Sequence, residues 1–128
     1  MVKYISMNRH TLRKQAMISI YQYLLIGGDI ESIIESNYTT RDEYFDSVIK
    51  NISSKQDDFI NSINNLLENW TFDRLGYPES AILLLGVSEL DLKELDKSII
   101  INEAVELTKE YGNEEAYPLI NKVLDKYE

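Results

Sequence analysis

Three basic side chains and the chain's single histidine cluster in the stretch NRHTLRKQA at residues 8–16, as Arg9, His10, Arg13 and Lys14. On an α-helix these four side chains fall within an arc of about 140°, so they can form one cationic surface. Such a surface can hold phosphate groups, which gives affinity and position rather than sequence selection. The alternative is a solvated helix end that happens to be basic, although positive charge there opposes the helix dipole.

The charge of the whole chain is segregated along the sequence. The formal net charge is -9, yet residues 1–28 carry four basic side chains, including Lys3, and no acidic one. The remaining residues carry nine basic and 22 acidic side chains. We therefore expect a basic patch that can hold a phosphate backbone, on a protein whose other faces repel nucleic acid or serve a protein partner.

The residue types exclude most catalytic and metal chemistry. The chain has one histidine and no cysteine, which excludes thiolate metal sites, Cys–His pairs and two-His metal motifs. No glycine-rich phosphate loop occurs, and most carboxylates fall where helices would face water rather than in the apolar pocket that acid–base catalysis needs. We expect no enzymatic activity, no cofactor and no metal.

The composition also bears on the compartment. The absence of cysteine suits a reducing cytosol. The apolar stretch MISIYQYLLIGG at residues 17–28 is interrupted by polar side chains and is too short to span a bilayer. We expect a cytoplasmic protein with no membrane association.

Helices must position the basic residues, because apolar residues recur at spacings of three and four and no stretch alternates as a strand does. The first helix is predicted over residues 8–26, ending at Gly27-Gly28, and Asp29 can cap a second helix through Ser36. Thr40 and Glu43 form a capping box for a third helix.

The next apolar stripe ends at Trp70, which we expect to be buried. That stripe is either a separate helix capped by Ser54 or an extension of the third helix. Pro78 suits the first turn of the following helix, and residues 82–87 are apolar on every side, which predicts a central buried helix. Two more helices are predicted, one ending before Gly112 and the last around Leu119. The segment TFDRLGYPES divides the chain into halves at residues 1–70 and 71–128.

Several stretches together resemble the NusB family of bacterial transcription antitermination factors. These are RKQAMISIYQYL (13–24), WTFDRL (70–75), SAILLLGVSEL (80–90), IIINEAVELTKEYG (99–112) and LINKVLDK (119–126). They occur in the family's order and spacing, and INEAVEL before VLDK is the most specific part. The resemblance implies an all-α protein of two small packed helical bundles, with about seven helices.

The resemblance also implies a function. Family members bind single-stranded RNA of the boxA type together with the ribosomal protein NusE, and they promote antitermination and ribosomal RNA synthesis within the transcription complex. Positions matching the family's arginine-rich RNA-binding start are Arg9, His10, Thr11 and Arg13, and Lys3 and Lys14 extend the basic segment. Tyr21 and Glu79 match the NusE-facing surface, and Glu115 matches an acidic position near the RNA. A homodimer is also known in the family.

The chain departs from the family pattern at several RNA-site positions. Ile18 replaces a glutamine, and Leu84 and Ser88 replace an arginine and a tyrosine. Pro118-Leu119 replaces Lys-Phe, and Lys122 replaces a glycine. Because Pro118 cannot donate a backbone hydrogen bond, we expect the last helix to start late or to kink. These departures leave open a second hypothesis, a diverged helical adaptor that binds proteins and has lost most RNA recognition.

Overall fold

A computed structural model describes residues 8–37 and 42–128 of the chain. These residues form six α-helices, α1 (Arg9–Ile26), α2 (Ile30–Asn37), α3 (Glu43–Leu66), α4 (Tyr77–Leu92), α5 (Lys97–Tyr111) and α6 (Tyr117–Lys126), and two short 3₁₀ helices, Phe72–Arg74 and Glu114–Ala116. The predicted all-α class is confirmed. In the described ranges, no helix has both the length and the apolar character needed to cross a bilayer.

Helix α4 is the centre of the fold. Its residues 79–89 are all buried, and α1, α3, α5 and α6 pack against it. The prediction of a helix buried on every side is therefore confirmed. Gly86 permits the close approach of α6, because a Cβ atom at this position would lie 2.9 Å from both methyl carbons of Leu124. The predicted division at residues 70–78 coincides with the α3–α4 connection, and the halves remain a prediction.

The end of α1 follows the prediction. The helix stops at Ile26, and Gly27 and Gly28 have positive φ angles of 86° and 98°. Only glycine adopts such angles without steric cost, which explains the termination here. Helix α2 begins beside Asp29, whose carboxylate accepts hydrogen bonds from the Glu31 backbone and the Ser32 hydroxyl.

Helix α3 bears on the open choice between an extension and a separate helix capped by Ser54. The helix runs continuously from Glu43 to Leu66, but two helical segments meet at a kink at Lys55, where φ is -123° and ψ is 19°. The described residues form six α-helices in all. Ser54 is not a cap, because its hydroxyl donates to the Lys50 carbonyl within the helix. Thr40 lies outside the described residues. The Asp42 carboxylate caps the helix by accepting a hydrogen bond from the Phe45 backbone N–H.

Trp70 is not in the core, contrary to our expectation. Helix α3 ends at Leu66, so the apolar stripe stops before Trp70, whose side chain is 52% exposed. Asn69 takes a left-handed conformation with a φ of 66°, which turns the chain away from the helix axis.

Both prolines lie in first helical turns. Pro78 is at the start of α4, as predicted. Pro118 also lies in the first turn of α6, which begins at Tyr117. The expected late start or kink is therefore wrong, because an N–H missing from the first turn has no intrahelical partner to lose.

Candidate nucleic-acid interface

The start of α1 is held by a side-chain cap and by packing against α4. The Asn8 carboxamide oxygen accepts the His10 backbone N–H at 2.7 Å. The buried face of α1 includes Leu12, Ala16 and Ile20. The same face includes Arg13, so helical geometry divides the four side chains of the predicted cationic surface between the interior and the solvent.

Arg13 is part of the protein core. Its side chain is 2% exposed, and it makes a two-pronged ion pair with Glu89 of α4, which is 1% exposed. The Nε–Oε2 distance is 2.9 Å and the Nη2–Oε1 distance is 2.6 Å. This corrects the prediction that Arg13 belongs to an exposed cationic surface, since a side chain paired and enclosed in this way has no free face for a phosphate.

The Glu89 carboxylate has a third partner. The Tyr44 hydroxyl donates to Glu89 Oε1 at 2.8 Å, and burial raises the pKa of Tyr44, so the phenol stays protonated. The Arg13 guanidinium also lies 5.2 Å from the centroid of the Phe45 ring. Helices α1, α3 and α4 are thus joined by one satisfied polar network.

His10 is held between two carboxylates of α5. Its Nδ1 lies 2.9 Å from Glu103 Oε2, and its Nε2 lies 3.0 Å from Glu110 Oε2. The hydrogen bond to Glu103 raises the pKa of His10 above its ordinary value of 6.5, against the opposing effect of partial burial, and Glu110 raises it further. Only an imidazolium can donate from both nitrogens, so the arrangement favours the charged form.

The rest of the predicted cationic surface forms what we call the basic edge, which consists of Arg9, His10 and Lys14. The Arg9 side chain is exposed, and its guanidinium lies 4.6 Å from the centroid of the Tyr44 ring. Lys14 Nζ lies 5.4 Å from the centroid of the Tyr111 ring. The edge thus offers two cations and one histidine whose charge is balanced by carboxylates. Lys3 lies outside the described residues.

Glu115 lies in the connection between α5 and α6. It is exposed in the second 3₁₀ helix, where its backbone N–H donates to the Asn113 side chain at 3.0 Å. It lines an open groove of about 320 Å³ with the exposed Trp70 and Arg74. The structure does not place Glu115 in contact with the basic edge. Sequence reasoning missed Trp70 and Arg74 here, because the predicted helix end placed Trp70 in the core.

Tyr21 lines a separate, mainly apolar groove. This groove of about 330 Å³ is bordered by α1, the start of α4 and the end of α5, where Ile18, Pro78 and Tyr111 lie. The Tyr21 ring meets the exposed Tyr77 ring edge-on, with 6.3 Å between the ring centroids. An apolar groove bordered by aromatic rings is suited to a protein side chain.

Glu79, the second predicted partner contact, is not displayed on this surface. It is 8% exposed, and its Oε1 accepts the Asn113 backbone N–H at 3.2 Å. The carboxylate lies between the backbones of Gly76 and Gly112, where added Cβ atoms would approach Oε2 to 3.2 Å and 3.4 Å. Glu79 therefore joins the start of α4 to the end of α5, and the expectation of a surface position is corrected.

Comparison with known proteins decides the family. The sequence model of the family described as "NusB family" matches residues 10–128. The chain belongs to the NusB family. The transcription antitermination protein NusB of Finegoldia magna is 37% identical over 125 residues, covering 92% of this chain and 91% of the relative. The NusB protein of Nitratiruptor sp. is 37% identical over 123 residues, covering 91% and 88% of the two chains.

Solved NusB structures share the fold. NusB of T. maritima superposes with a TM-score of 0.85 at 25% identity, over 96% of this chain and 92% of that one. A crystal structure of the antitermination factors NusB and NusE in complex with dsRNA contains a chain that matches with a TM-score of 0.80 at 29% identity, over 91% and 92% of the two chains.

The departures from the NusB pattern lie partly inside the protein. Leu84 is fully buried in α4, and Ser88 is buried with its hydroxyl donating to the Val48 carbonyl at 2.8 Å. Neither side chain can reach a ligand on the surface. Lys122 is exposed on α6 and pairs with Glu68 at 3.0 Å, and Ile18 borders the Tyr21 groove.

Among the described residues, no group of three or more His, Asp or Glu side chains is arranged to hold a metal ion.

Proposed function

We propose that this chain is a noncatalytic transcription antitermination factor of the cytoplasm that binds single-stranded boxA-type RNA together with a NusE-like ribosomal protein. In this role it supports ribosomal RNA transcription as part of a transcription complex. The supporting observation is the similarity, over 91% of the chain, to a NusB that was crystallised with NusE and dsRNA. The basic edge would supply phosphate contacts, and the Tyr21 groove would supply part of the protein contact.

The structure limits the phosphate contacts on α1 to the basic edge. With Arg13 enclosed, at most Arg9, His10 and Lys14 remain, and each phosphate contact on single-stranded RNA contributes about 0.7 to the salt slope. We therefore expect a slope of log affinity against log salt of about -2 for this edge. The slope would be shallower at a pH above the raised pKa of His10.

A specific observation favours a second candidate, a protein-binding adaptor with little RNA recognition. Two carboxylates hold His10, and a third encloses Arg13, so acidic side chains neutralise half of the predicted cationic surface. The acidic remainder of the chain would then attract a basic ribosomal protein, since complementary charge speeds association.

The experiment that separates the two candidates is a mobility-shift titration with a boxA-type RNA, with and without the NusE-like protein. The chain is compared with an Arg9→Glu/Lys14→Glu variant, which reverses exposed charges and leaves the Arg13 pair intact. The first candidate predicts a loss of RNA binding. Unchanged RNA binding in the presence of the partner would reject the basic edge, and capture of the partner with no RNA shift at low salt would favour the adaptor. A titration with double-stranded RNA of the same sequence tests whether the chain prefers single-stranded RNA.

A substitution that removes one acidic charge tests whether α5 weakens RNA binding at the basic edge. Glu110→Gln removes one of the carboxylates bound to His10, and we expect RNA affinity to rise by about 1.5-fold to 5-fold at low salt and not at high salt. Glu106→Gln is the matched control, because Glu106 is another exposed carboxylate of α5. An equal gain in both variants would indicate net charge alone. Gel filtration of the unmodified chain tests for the homodimer.

A further inference from the structure

The end of α1 leaves two large aliphatic side chains in water. Ile26 is 79% exposed and Leu25 is 51% exposed, more than any other large aliphatic side chain of the described residues. Both lie on the face of α1 that carries Gln22, because residues three and four positions apart are neighbours on a helix. Contiguous apolar area that is kept in water is typical of a surface that binds a partner.

Ile26 also lines a groove between α1 and α2. The groove has a volume of about 290 Å³, and Ile33 of α2 is a second apolar residue in its lining. Gly27 and Gly28 lie between the two helices, and no atom is within 4 Å of the position that a Cβ atom would take at either glycine. We call this the α2 groove. A ligand can approach the backbone closely at the two glycines, beside the two isoleucine side chains.

The α2 groove is separate from the Tyr21 groove. The Tyr21 groove is bordered by α1, α4 and α5, and of its lining residues Gln22 also lines the α2 groove. Gln22 Oε1 accepts a hydrogen bond from Asn37 Nδ2 at 2.6 Å, which ties this side chain to the end of α2. A polar side chain thus lies between the two apolar surfaces, so each groove can hold its own ligand. The family resemblance assigned no residue of α2 to RNA or to NusE.

The charges around the α2 groove select the kind of ligand. Residues 15–37 contain three carboxylates, Asp29, Glu31 and Glu35, and no lysine or arginine. Asp29 is exposed and lines the groove. Such a surface repels a phosphate backbone and attracts a basic protein. A second copy of this chain is disfavoured, because its net charge is -9 and the contact would bring two surfaces with carboxylates together.

We propose that the α2 groove binds an amphipathic helix with basic flanks, carried by a protein other than the NusE-like protein. The apolar ridge of that helix packs against Leu25, Ile26 and Ile33, and a lysine or arginine beside the ridge pairs with Asp29. A groove between two helices suits this mode of recognition, because ridges of side chains on one helix fit the grooves of others. The inference goes beyond the proposed function, since it adds a second protein partner and does not depend on RNA binding.

The position of the α2 groove allows the partner and RNA to be bound at the same time. Helix α1 runs from Arg9 to Ile26. With a rise of about 1.5 Å per residue, its two ends are about 25 Å apart. The basic edge is at the start of α1 and the α2 groove is at its end. One helix therefore carries a cationic surface and an apolar surface flanked by carboxylates at opposite ends.

Apolar and charge substitutions have different expected effects. Leu25→Ser and Ile26→Ser should each weaken ligand binding by about 10-fold to 100-fold, the loss expected when a buried aliphatic contact is removed. Ile99→Ser is the matched control, because Ile99 is 46% exposed at the start of α5. Asp29→Asn should weaken binding by about 2-fold to 5-fold at low salt and not at high salt. Asparagine caps a helix as well as aspartate, so α2 stays capped in this variant.

The experiment is a fluorescence-anisotropy titration with a labelled synthetic helix that carries leucines along one face and lysines on the other. The peptide has about 18 residues, because shorter helices are marginally stable in water. A second peptide of the same composition has its leucines spread around the helix. The expected result is saturable one-to-one binding of the first peptide, with or without bound NusE-like protein, and weaker binding of the second. NMR signals of the Gly27 and Gly28 amides should shift, and that of Gly112 should not.

Other outcomes overturn the inference. Equal binding of the two peptides, or an equal loss in Ile99→Ser and Ile26→Ser, would indicate attraction by net charge alone. Displacement of the peptide by the NusE-like protein would assign the groove to that partner. A homodimer that Ile26→Ser dissociates would assign it to a second copy. Far-UV circular dichroism melts establish that every variant is folded. If the chain binds no RNA but the peptide results are as expected, the proposed function fails and this inference stands.

Discussion

The ion pair between Arg13 and Glu89 should be a large determinant of stability. We consider Arg13→Met, which leaves the Glu89 carboxylate enclosed with only the Tyr44 hydroxyl as a partner. Removing one member of a buried ion pair typically costs about 3–5 kcal/mol, because the remaining charge stays out of water without compensation. For a domain of this size each kcal/mol corresponds to about 4 °C, so the melting temperature should fall by about 12–20 °C.

Glu89→Gln gives a second measure of the same pair. The Arg13 guanidinium then retains one carboxylate, because Nη1 lies 3.7 Å from Glu103 Oε2. We expect a loss of about 3 kcal/mol, toward the lower end of the range for a broken buried pair. Chemical denaturation followed by far-UV circular dichroism measures both variants. The triple variant Arg13→Met/Glu89→Leu/Tyr44→Phe is the control, and it should recover most of the loss since no charged or polar group remains unpaired.

A small effect would refute this reasoning. If Arg13→Met lowers the free energy of unfolding by less than about 1 kcal/mol, the pair behaves as an exposed one. Arg13 would then be free to contact phosphate as the family resemblance implied. If the loss is large, reduced RNA binding by an Arg13 variant reports unfolding and not a missing RNA contact. The two interpretations are distinguished by measuring RNA affinity at a temperature where each variant is fully folded.

Three further substitutions have defined expectations. Gly86→Ala should lower the free energy of unfolding by about 1–2 kcal/mol in chemical denaturation, because the added methyl group overlaps Leu124. In a Leu124→Ala background the same substitution should stabilise the fold, because alanine has a higher helix propensity than glycine. Lys97→Met should lower the free energy of unfolding by about 1 kcal/mol and speed amide hydrogen exchange at the end of α6. The Lys97 ammonium donates hydrogen bonds to the Asp125 carbonyl at this end and to the Tyr127 carbonyl just beyond it. The NMR titration of His10 should have a midpoint above 6.5, which Glu103→Gln lowers.

Each of these expectations has an internal check. The Gly86 prediction fails if Ala is equally destabilising in both backgrounds, and the Lys97 prediction fails if exchange is unchanged at the end of α6. For His10, the raised pKa means that its stabilising contribution is complete below pH 6.5 and disappears as pH rises through the folded-state value. A His10→Gln variant should therefore differ most from the parent in acid, and an equal difference at all pH values would contradict the assignment.

Local signals in the sequence were sufficient for most helix boundaries. Gly27-Gly28 ended α1 because glycine adopts positive φ without steric cost, and Pro78 began α4 because its fixed φ suits the first helical turn. The buried character of α4 was also predictable, since its apolar run has no polar side. Asn69 was a usable signal that was missed, because asparagine favours the left-handed conformation that ends α3 before Trp70.

The burial of Arg13 could not be read from local spacing. An arc of about 140° is wide enough to include both the solvent-facing Arg9 and a residue beside the apolar stripe of α1. What decides between them is Glu89, which lies 76 positions away in sequence. The same holds for His10, whose partners on α5 lie 93 and 100 positions away. Long-range charge pairs of this kind depend on helix packing, which periodicity alone does not specify.

The basic stretch of α1 thus has two different physical tasks. Arg13 satisfies a carboxylate that α4 carries into the core, and this task requires a cation whether or not RNA is bound. Arg9 and Lys14 contribute little to the core, and their charges are free to act on a ligand. Leu84 and Ser88 stand where the family resemblance implies an arginine and a tyrosine, and both are buried, so few exposed cations remain on this face. If the chain binds RNA, the balance must come from uncharged contacts or from the partner, so RNA titrations with and without the partner at several salt concentrations are the most informative measurements.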